Sequence, residues 1–93
     1  MVYFSFRAVA VDANGKKLLD EQNGGELPLV MFDGWFDEIR TKAAESGATM
    51  LLVDTYKRNR DKEKQTYTKQ ELISGKWKKP QEITFDEYAS LFD

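Results

Sequence analysis

The chain has 93 residues, a formal net charge of −2 and neither cysteine nor histidine. The missing cysteines exclude disulfides, thiol catalysis and zinc–thiolate sites, and the missing histidines exclude Ser-His-Asp catalysis and histidine-based metal sites. The length therefore predicts a single domain over residues 1–93, and any catalysis would have to rest on carboxylates, lysines or tyrosines. We expect a protein that is not an enzyme and has no cofactor.

The start of the chain lacks the features of a targeting signal. Residues 1–15 alternate between apolar and polar side chains, whereas a signal peptide has basic residues followed by an unbroken apolar run. No stretch approaches the roughly 18 consecutive apolar residues that a membrane-spanning helix requires. Together with the absence of cysteine, this predicts a cytoplasmic protein that has no membrane partner.

A β-hairpin is predicted at the beginning of the chain. Residues 2–11 (VYFSFRAVAV) alternate with a period of two, which is typical of a half-buried strand. The Asn-Gly pair at 14–15 favours a type I′ turn, because both central residues of that turn need a positive φ. A second strand is expected over residues 16–22, and Asn-Gly-Gly at 23–25 is expected to end it.

The longer helix is predicted in the second quarter of the chain. One apolar helical face recurs at intervals of three or four residues: Leu29, Phe32, Phe36, Ile39 and Ala43. The helix is predicted over residues 35–46, with Gly47 as a left-handed C-cap. Its start stays open, because Pro28 in the first turn and Asp33 as an N-cap are both suitable.

A central strand followed by a charged hairpin is predicted next. Residues 48–57 contain an unbroken apolar run, which suits a strand that is covered on both faces, and they lead into a strongly charged segment. Residues 63–73 (EKQTYTKQELI) are interpreted as the returning arm of a projecting hairpin. The alternative is a short helix that begins at Thr68, since Thr68 to Glu71 form a capping-box pattern.

The end of the chain predicts a short edge strand and a short helix. The edge strand is expected within residues 76–80 (KWKKP). Thr84 and Glu87 form a capping box, and Ile83 and Tyr88 can form a hydrophobic staple across it. The apolar face of the helix comprises Tyr88, Leu91 and Phe92. The elements together predict an α+β fold with a small, mainly antiparallel sheet of three to five strands.

Charge is distributed unevenly along the sequence. Residues 48–79 hold nine bases and four acids, a net charge of +5. Residues 1–47 hold eight acids and five bases, and residues 80–93 hold four acids and no base. A basic middle between acidic ends predicts an electrically polarised molecule.

The basic middle of the chain also carries aromatic residues, and the two sets form a candidate partner-binding site. Its members are Tyr56, Lys57, Arg58, Arg60, Lys62, Lys64, Tyr67, Lys76, Trp77, Lys78 and Lys79. We expect a non-enzymatic protein-binding module, an adaptor or inhibitor, that acts on an acidic surface of another protein. The alternative is a nucleic-acid-binding protein that uses the same residues on phosphates and bases.

Two observations bear on these alternatives. Asp61 and Glu63 interrupt the basic cluster, and the slightly acidic whole is unlike a typical nucleic-acid-binding domain. Lysines at hairpin tips also keep a sheet edge soluble without binding anything. Trp77 either lies flat against the sheet or serves as an exposed anchor for a partner.

Acidic residues near the predicted elements are weaker candidates for a cation site. Asp33 and Asp37 are four residues apart and could share a helical face, which is conceivable for a hard cation such as magnesium. Acids at the start of a helix also complement its dipole, and Asp54 is interpreted as the first polar side chain of an emerging strand. No metal site is therefore predicted.

The sequence carries no family motif, but its general character resembles one class of proteins. It is short, cysteine-free and charge-polarised, and in this it is similar to the small accessory and inhibitor proteins that phages encode against host machinery. The segments ITFDEYASL and YTKQELI resemble short helical tail elements of phage and bacterial proteins. The resemblance implies binding to a host protein rather than catalysis.

Overall fold

A computed structural model of the chain describes residues 2–26 and 30–91, with side chains throughout except those of residues 30–32. The predicted contributions of Pro28, Leu29, Phe92 and the Phe32 side chain lie outside this part. The elements, in chain order, are β1 (Tyr3–Val11), β2 (Lys17–Glu26), α1 (Val30–Glu45), β3 (Met50–Asn59), β4 (Lys62–Ile73), β5 (Lys76–Trp77), β6 (Gln81–Ile83) and α2 (Phe85–Ser90).

The strands form one antiparallel sheet in the order β2-β1-β3-β4-β5, and β6 pairs with β4 beside this path. The predicted α+β class, with a small antiparallel sheet, a helix and a short C-terminal helix, is confirmed. Strand β6 has no counterpart in the prediction, because three residues are too few to show a period of two.

The alternation of side chains along β1 builds a separate apolar cluster on each face of the sheet. Phe6, Ala8 and Ala10 pack with Leu51 and Val53 beneath α1. We call this side the α1 face. On the opposite side, the α2 face, the buried cluster comprises Val9, Val11, Leu52 and Tyr88.

The first turn differs from the predicted type I′ geometry. Of the Asn-Gly pair only Gly15 has a positive φ, at 79°. The carboxylate of Asp12 accepts hydrogen bonds from the backbone N–H groups of Asn14 and Lys16, each at 2.9 Å. These bonds hold an Asx-type turn, and the pairing of β1 with β2 shifts by one residue after Ala10.

Strand β2 runs on through Asn-Gly-Gly, so the expected end near residue 22 is wrong. Gly24 lies opposite Ser5 in the pairing of β1 with β2. A Cβ atom at Gly24 would stand 2.6 Å from the Cβ of Ser5 and 2.9 Å from the carbonyl oxygen of Phe4. Glycine therefore permits the close approach of two backbones here, instead of breaking the strand.

Helix α1 begins at Val30, which places Asp33 inside its first turn and not at the N-cap. At the other end the prediction is confirmed, since Gly47 has a φ of 88°. The N–H of Gly47 donates to the carbonyl of Ala44, and the N–H of Ala48 donates to the carbonyl of Ala43. This pair of bonds is a Schellman motif, and it buries Ala48 beneath the helix.

Strands β3 and β4 form the predicted hairpin, and the alternative of a helix beginning at Thr68 is wrong. The segment YTKQELI, which resembles a helical tail element, belongs to β4. Pairing of β1 with β3 extends from Met50 to Arg58, so only residues 59–62 pass beyond the last pair formed with β1. The charged stretch is therefore largely part of the sheet.

Helix α2 has the predicted N-cap. The backbone N–H of Glu87 donates to the hydroxyl of Thr84 at 3.2 Å. Ile83 and Tyr88, the predicted staple, pack in the same cluster on the α2 face. The Glu87 carboxylate accepts from the Nζ of Lys69 at 2.8 Å, which fastens the helix to β4.

Within residues 2–26 and 30–91, neither helix is long and apolar enough to cross a membrane.

Replacing Gly24 with alanine is expected to destabilise the protein by about 1–3 kcal/mol, because the new methyl group would force β1 and β2 apart. The measurement is the free energy of unfolding in urea.

The matched control is Gly34→Ala in α1, where a Cβ atom would meet nothing within 4 Å. Higher helix propensity is expected to stabilise this variant by up to about 1 kcal/mol. Equal stability of the two variants would contradict the close approach at Gly24.

Candidate functional site

The pleat of the β3–β4 hairpin separates its charges. Lys57 lies directly opposite Lys64, and Lys62 lies opposite Asn59. These positions fall on the α1 face, because side chains alternate and Val53 belongs to the cluster beneath α1. We call Lys57, Lys62 and Lys64 the lysine face.

The interrupting acids lie elsewhere on the hairpin. Glu63 pairs with Arg58, and alternation places both on the α2 face. Asp61 is in the turn beside Arg60, whose φ of 62° is uncommon for a residue with a side chain. The lysine face therefore carries a purely positive charge, which the order of residues along the chain conceals.

The lysine face is exposed and lacks counterions. All three lysines are exposed to solvent. None of the five salt bridges found in the described residues includes any of them. Next to them, the hydroxyl of Thr55 donates to the backbone carbonyl of Thr66 across the strands at 3.3 Å. This surface can therefore bind an anionic group through its exposed ammonium groups.

The pair formed by Lys57 and Lys64 is unfavourable for the fold. Like charges directly opposite each other in an antiparallel pair are destabilising. Protection of a sheet edge accounts for lysines on the free part of β4, but Lys57 lies on β3, which β1 and β4 flank on both sides. Solubility of an edge therefore does not explain Lys57.

The aromatic residues of the candidate site do not join the lysine face. Tyr56 lies on the α2 face, with its ring centroid 6.1 Å from that of Tyr3. Tyr67 packs between Tyr88 at 5.1 Å and Phe85 at 5.4 Å. Trp77 is half-buried against the cluster beneath α1, as in the interpretation that places it flat on the sheet.

The predicted residues form two groups and not one. Lys76 pairs with Ile73 at the far end of β4, nine residues from Lys64, a separation of about 30 Å along the strand. Lys78 and Lys79 follow in the same exposed segment. Two backbone carbonyls define the local path: that of Glu71 accepts from the N–H of Lys78, and that of Lys78 accepts from the Gln70 amide.

An ion pair on the α2 face was not predicted from the sequence. Arg7 donates to Asp20 through Nε at 3.0 Å and through Nη2 at 2.8 Å, and Lys17 approaches the same carboxylate at 3.2 Å. The hydrogen bonds from Arg7, followed by that from Lys17, lower the pKa of Asp20 to about 2. The alternation of β1 placed Arg7 on this face, but the partner depended on the register of β2.

Asp54 lies beside this ion pair, and its pKa is shifted in the opposite direction from that of Asp20. It is half-buried, directly opposite Arg7 in the β1–β3 register, and accepts a hydrogen bond from the Gln65 amide. Burial raises the pKa of Asp54, and the Gln65 bond and Arg7 oppose that rise. Burial also raises the pKa of the neighbouring Tyr88 hydroxyl to about 12, and the charge of Asp54 adds to the effect.

Above Asp54 the α2 face holds an open depression of about 600 Å³. Its lining includes Tyr3, Ser5, Arg7, Asp54, Tyr56 and Gln65. The bare backbone of Gly24 forms part of its floor. The only signal in the sequence was the glycine pair after an alternating strand, which we interpreted as the end of the strand.

Asp33 and Asp37, the candidates for a cation site, do not form a set of metal ligands. Among the residues that the structure describes, no group of three or more carboxylates could hold a metal ion. Asp37 accepts a hydrogen bond from Arg40 one turn later in α1.

Comparison with known proteins gives no relative from which a function could be transferred. No protein-family model, curated protein or solved structure matches this chain.

Stability is expected to fall as the pH drops from about 4 to about 2, because Asp20 is ionised in the folded state down to a pKa of about 2, below its ordinary value of 3.8. The stabilisation is present above the ordinary pKa and is lost on acidification. Asp20→Asn should lower stability at pH 7 by about 1 kcal/mol, since the pair is bidentate but partly exposed. Urea unfolding between pH 2 and 7 measures both effects.

The control for this series is Asp61→Asn, which removes the same charge from the exposed turn of the hairpin. The stability of Asp61→Asn should fall with decreasing pH as steeply as that of the wild type. The stability of Asp20→Asn should fall less steeply. Parallel profiles for Asp20→Asn and the wild type would contradict a structural role of the Arg7–Asp20 pair.

Trp77→Ala is expected to destabilise the protein by about 2 kcal/mol, because the indole ring is half-buried against the cluster beneath α1. Thermal unfolding followed by circular dichroism measures the change. An unchanged melting temperature would show instead that Trp77 is free to act as an anchor for a partner.

Proposed function

We propose that the protein is a non-enzymatic binding module of the cytoplasm, an adaptor or inhibitor, whose lysine face docks on an acidic surface of a partner protein. Arg60 at the hairpin tip adds to the positive field of Lys57, Lys62 and Lys64. The site uses electrostatic recognition and requires no bond to be made or broken. In being short, cysteine-free and charge-polarised, the chain resembles the small accessory and inhibitor proteins of phages, and this general character agrees with such an activity.

The opposed pair of Lys57 and Lys64 is the observation that carries the proposal. Their Cα atoms are direct cross-strand partners, both side chains are exposed, and neither forms a salt bridge with the described residues. A carboxylate placed between the two ammonium groups would replace mutual repulsion with two attractions. The opposed lysines therefore favour the complex with an acidic partner over the isolated protein.

The composition of the surface favours a protein partner over nucleic acid. Single-stranded nucleic acid is held by aromatic rings that stack on bases beside the cations. Here Tyr67 is packed beneath α2 and Tyr56 lies on the opposite face of the sheet from Lys57. Duplex binding commonly neutralises about 6–10 phosphates, which is more than the lysine face offers.

The charge of the whole molecule fits fast, orienting association with an acidic surface. The chain has a net charge of −2, yet the β3–β4 hairpin carries six of its 14 basic residues, five of them within residues 56–67. An acidic partner is thus repelled by most of the surface and attracted by the lysine face. Electrostatic steering of this kind raises the association rate and makes it sensitive to salt.

Lys64→Glu separates binding from folding. It converts the repulsive pair with Lys57 into an attractive one, so we expect stability to rise by about 0.5–1 kcal/mol while binding to an acidic surface is lost. Stability is measured by urea unfolding. Binding is measured by fluorescence anisotropy with a labelled glutamate-rich peptide and with single- and double-stranded oligonucleotides, at about 50 and 200 mM salt.

Lys79→Glu provides the matched control, because it makes the same charge reversal in the second basic group at the far end of β4. It should leave peptide binding close to that of the wild type. Equal losses for Lys64→Glu and Lys79→Glu would mean that only net charge matters. Preferential binding of oligonucleotides, with a loss of about a thousandfold between the two salt concentrations, would replace the proposal with a nucleic-acid function.

A further inference from the structure

The depression on the α2 face lies on the opposite side of the sheet from the lysine face, and the proposed docking does not use it. It is open because α2 covers only the part of this face around Val9, Val11 and Leu52. Further along β1 the outward position is Ser5, and its neighbour on β2 is Gly24. Small side chains in the middle and longer ones around them leave about 600 Å³, within the 300–1,000 Å³ typical of small-molecule sites.

Most charged side chains around the depression lie near a group of opposite charge. Arg7 is held by two hydrogen bonds from its guanidinium to Asp20, and Lys17 shares that carboxylate. Asp54 contributes the remaining negative charge. Among these four side chains two cations meet two anions, and at the tyrosine end of the same face Arg58 lies opposite Glu63. Most charges near the depression therefore have a partner of opposite sign within the protein, which favours an uncharged ligand.

The polar groups of the lining are suited to hydroxyl groups. Asp54 can only accept hydrogen bonds when ionised, Gln65 offers both an amide donor and a carbonyl acceptor, and the Ser5 hydroxyl can do either. A hydroxyl group of a ligand also donates and accepts, so it can satisfy such a mixed set without carrying charge. The half-buried carboxylate of Asp54, with a pKa that burial raises, would gain most from an added donor.

Two tyrosine rings provide an apolar side to the same depression. Tyr3 and Tyr56 pack edge to face, with an interplanar angle of 65°, and both contribute to the lining. The guanidinium of Arg58 lies 5.4 Å from the centre of the Tyr3 ring and helps to fix its orientation. Rings held in this way can pack against the C–H groups of a ligand while the polar side engages its hydroxyls.

We propose that this depression binds a neutral, polyhydroxylated ligand, namely a sugar ring. The polar groups of Ser5, Asp54 and Gln65 engage the ring hydroxyls, and Tyr3 and Tyr56 contact its apolar edge. The sugar is either free or a terminal unit of a glycan, since both present the same chemistry to a shallow site. The affinity is expected to be in the millimolar range, because the depression is open and buries only part of a ligand.

The test is a titration of the ¹⁵N-labelled protein, followed by two-dimensional NMR. The neutral probes are glucose, galactose, mannose and N-acetylglucosamine, and each is compared with a linear trisaccharide of the same unit. Putrescine and inorganic phosphate serve as cationic and anionic probes. We expect saturable shifts for at least one neutral sugar at the amides of Ser5, Asp54 and Gln65, with those of α1 unmoved.

Variants test whether the shifts report contacts with the lining. Asp54→Asn should weaken sugar binding about tenfold, the loss typical of one hydrogen bond to a charged group. Gln65→Ala tests the same site from the neighbouring strand if the first variant folds poorly. Glu82→Gln is the matched control, because it removes a carboxylate from β6, where Glu82 pairs with Thr68 on the α1 face.

Each outcome decides the proposal. Saturable shifts at the lining that Asp54→Asn weakens and Glu82→Gln preserves support it, and a tighter trisaccharide identifies a glycan as the source. Shifts with putrescine or phosphate alone overturn it, as does the absence of shifts with every neutral sugar. None of these results affects the acidic-peptide test of the lysine face, which relies on other side chains.

Discussion

The pairing of β1 with β3 is the constraint on which the rest of the structure depends. Nine residues of β1 pair in unbroken register with nine of β3, and β1 is covered on both faces over Ala8 to Val11. The alternation that this register enforces places one apolar set beneath α1 and another beneath α2. It also assigns each paired polar side chain of β3 and β4 to one face or the other, so the core and the candidate surfaces have the same origin.

Local patterns in the sequence predicted the elements whose causes are local. The alternation of residues 2–11, the C-cap at Gly47 and the N-cap at Thr84 each depend on neighbours a few positions away, and all three are confirmed. The predictions for the first turn and for the end of β2 were wrong for a different reason. The Asp12 side chain decided the geometry of the turn, and the close approach of Ser5 decided the role of Gly24.

The candidate site was predictable in composition but not in arrangement. A window of sequence showed basic residues mixed with Asp61 and Glu63, whereas the pleat divides them between two faces and a turn. The sequence also suggested that Tyr67 and Trp77 act together with the lysines, although both rings pack against the buried clusters of the sheet. The depression on the α2 face depends on distant segments, since β1, β2, β3 and β4 all contribute to it. Only the register of the sheet brings these segments together.

The two surfaces that we propose for binding share one energetic property. Lys57 faces Lys64 with no counterion among the described residues, and Asp54 is a half-buried carboxylate whose ionisation burial disfavours. Each arrangement lowers the stability of the isolated protein, and each would be relieved by a ligand of complementary chemistry, a carboxylate in the first case and a hydroxyl donor in the second. Because both arrangements lie on parts of the sheet that the helices leave uncovered, we propose that they serve binding and not folding.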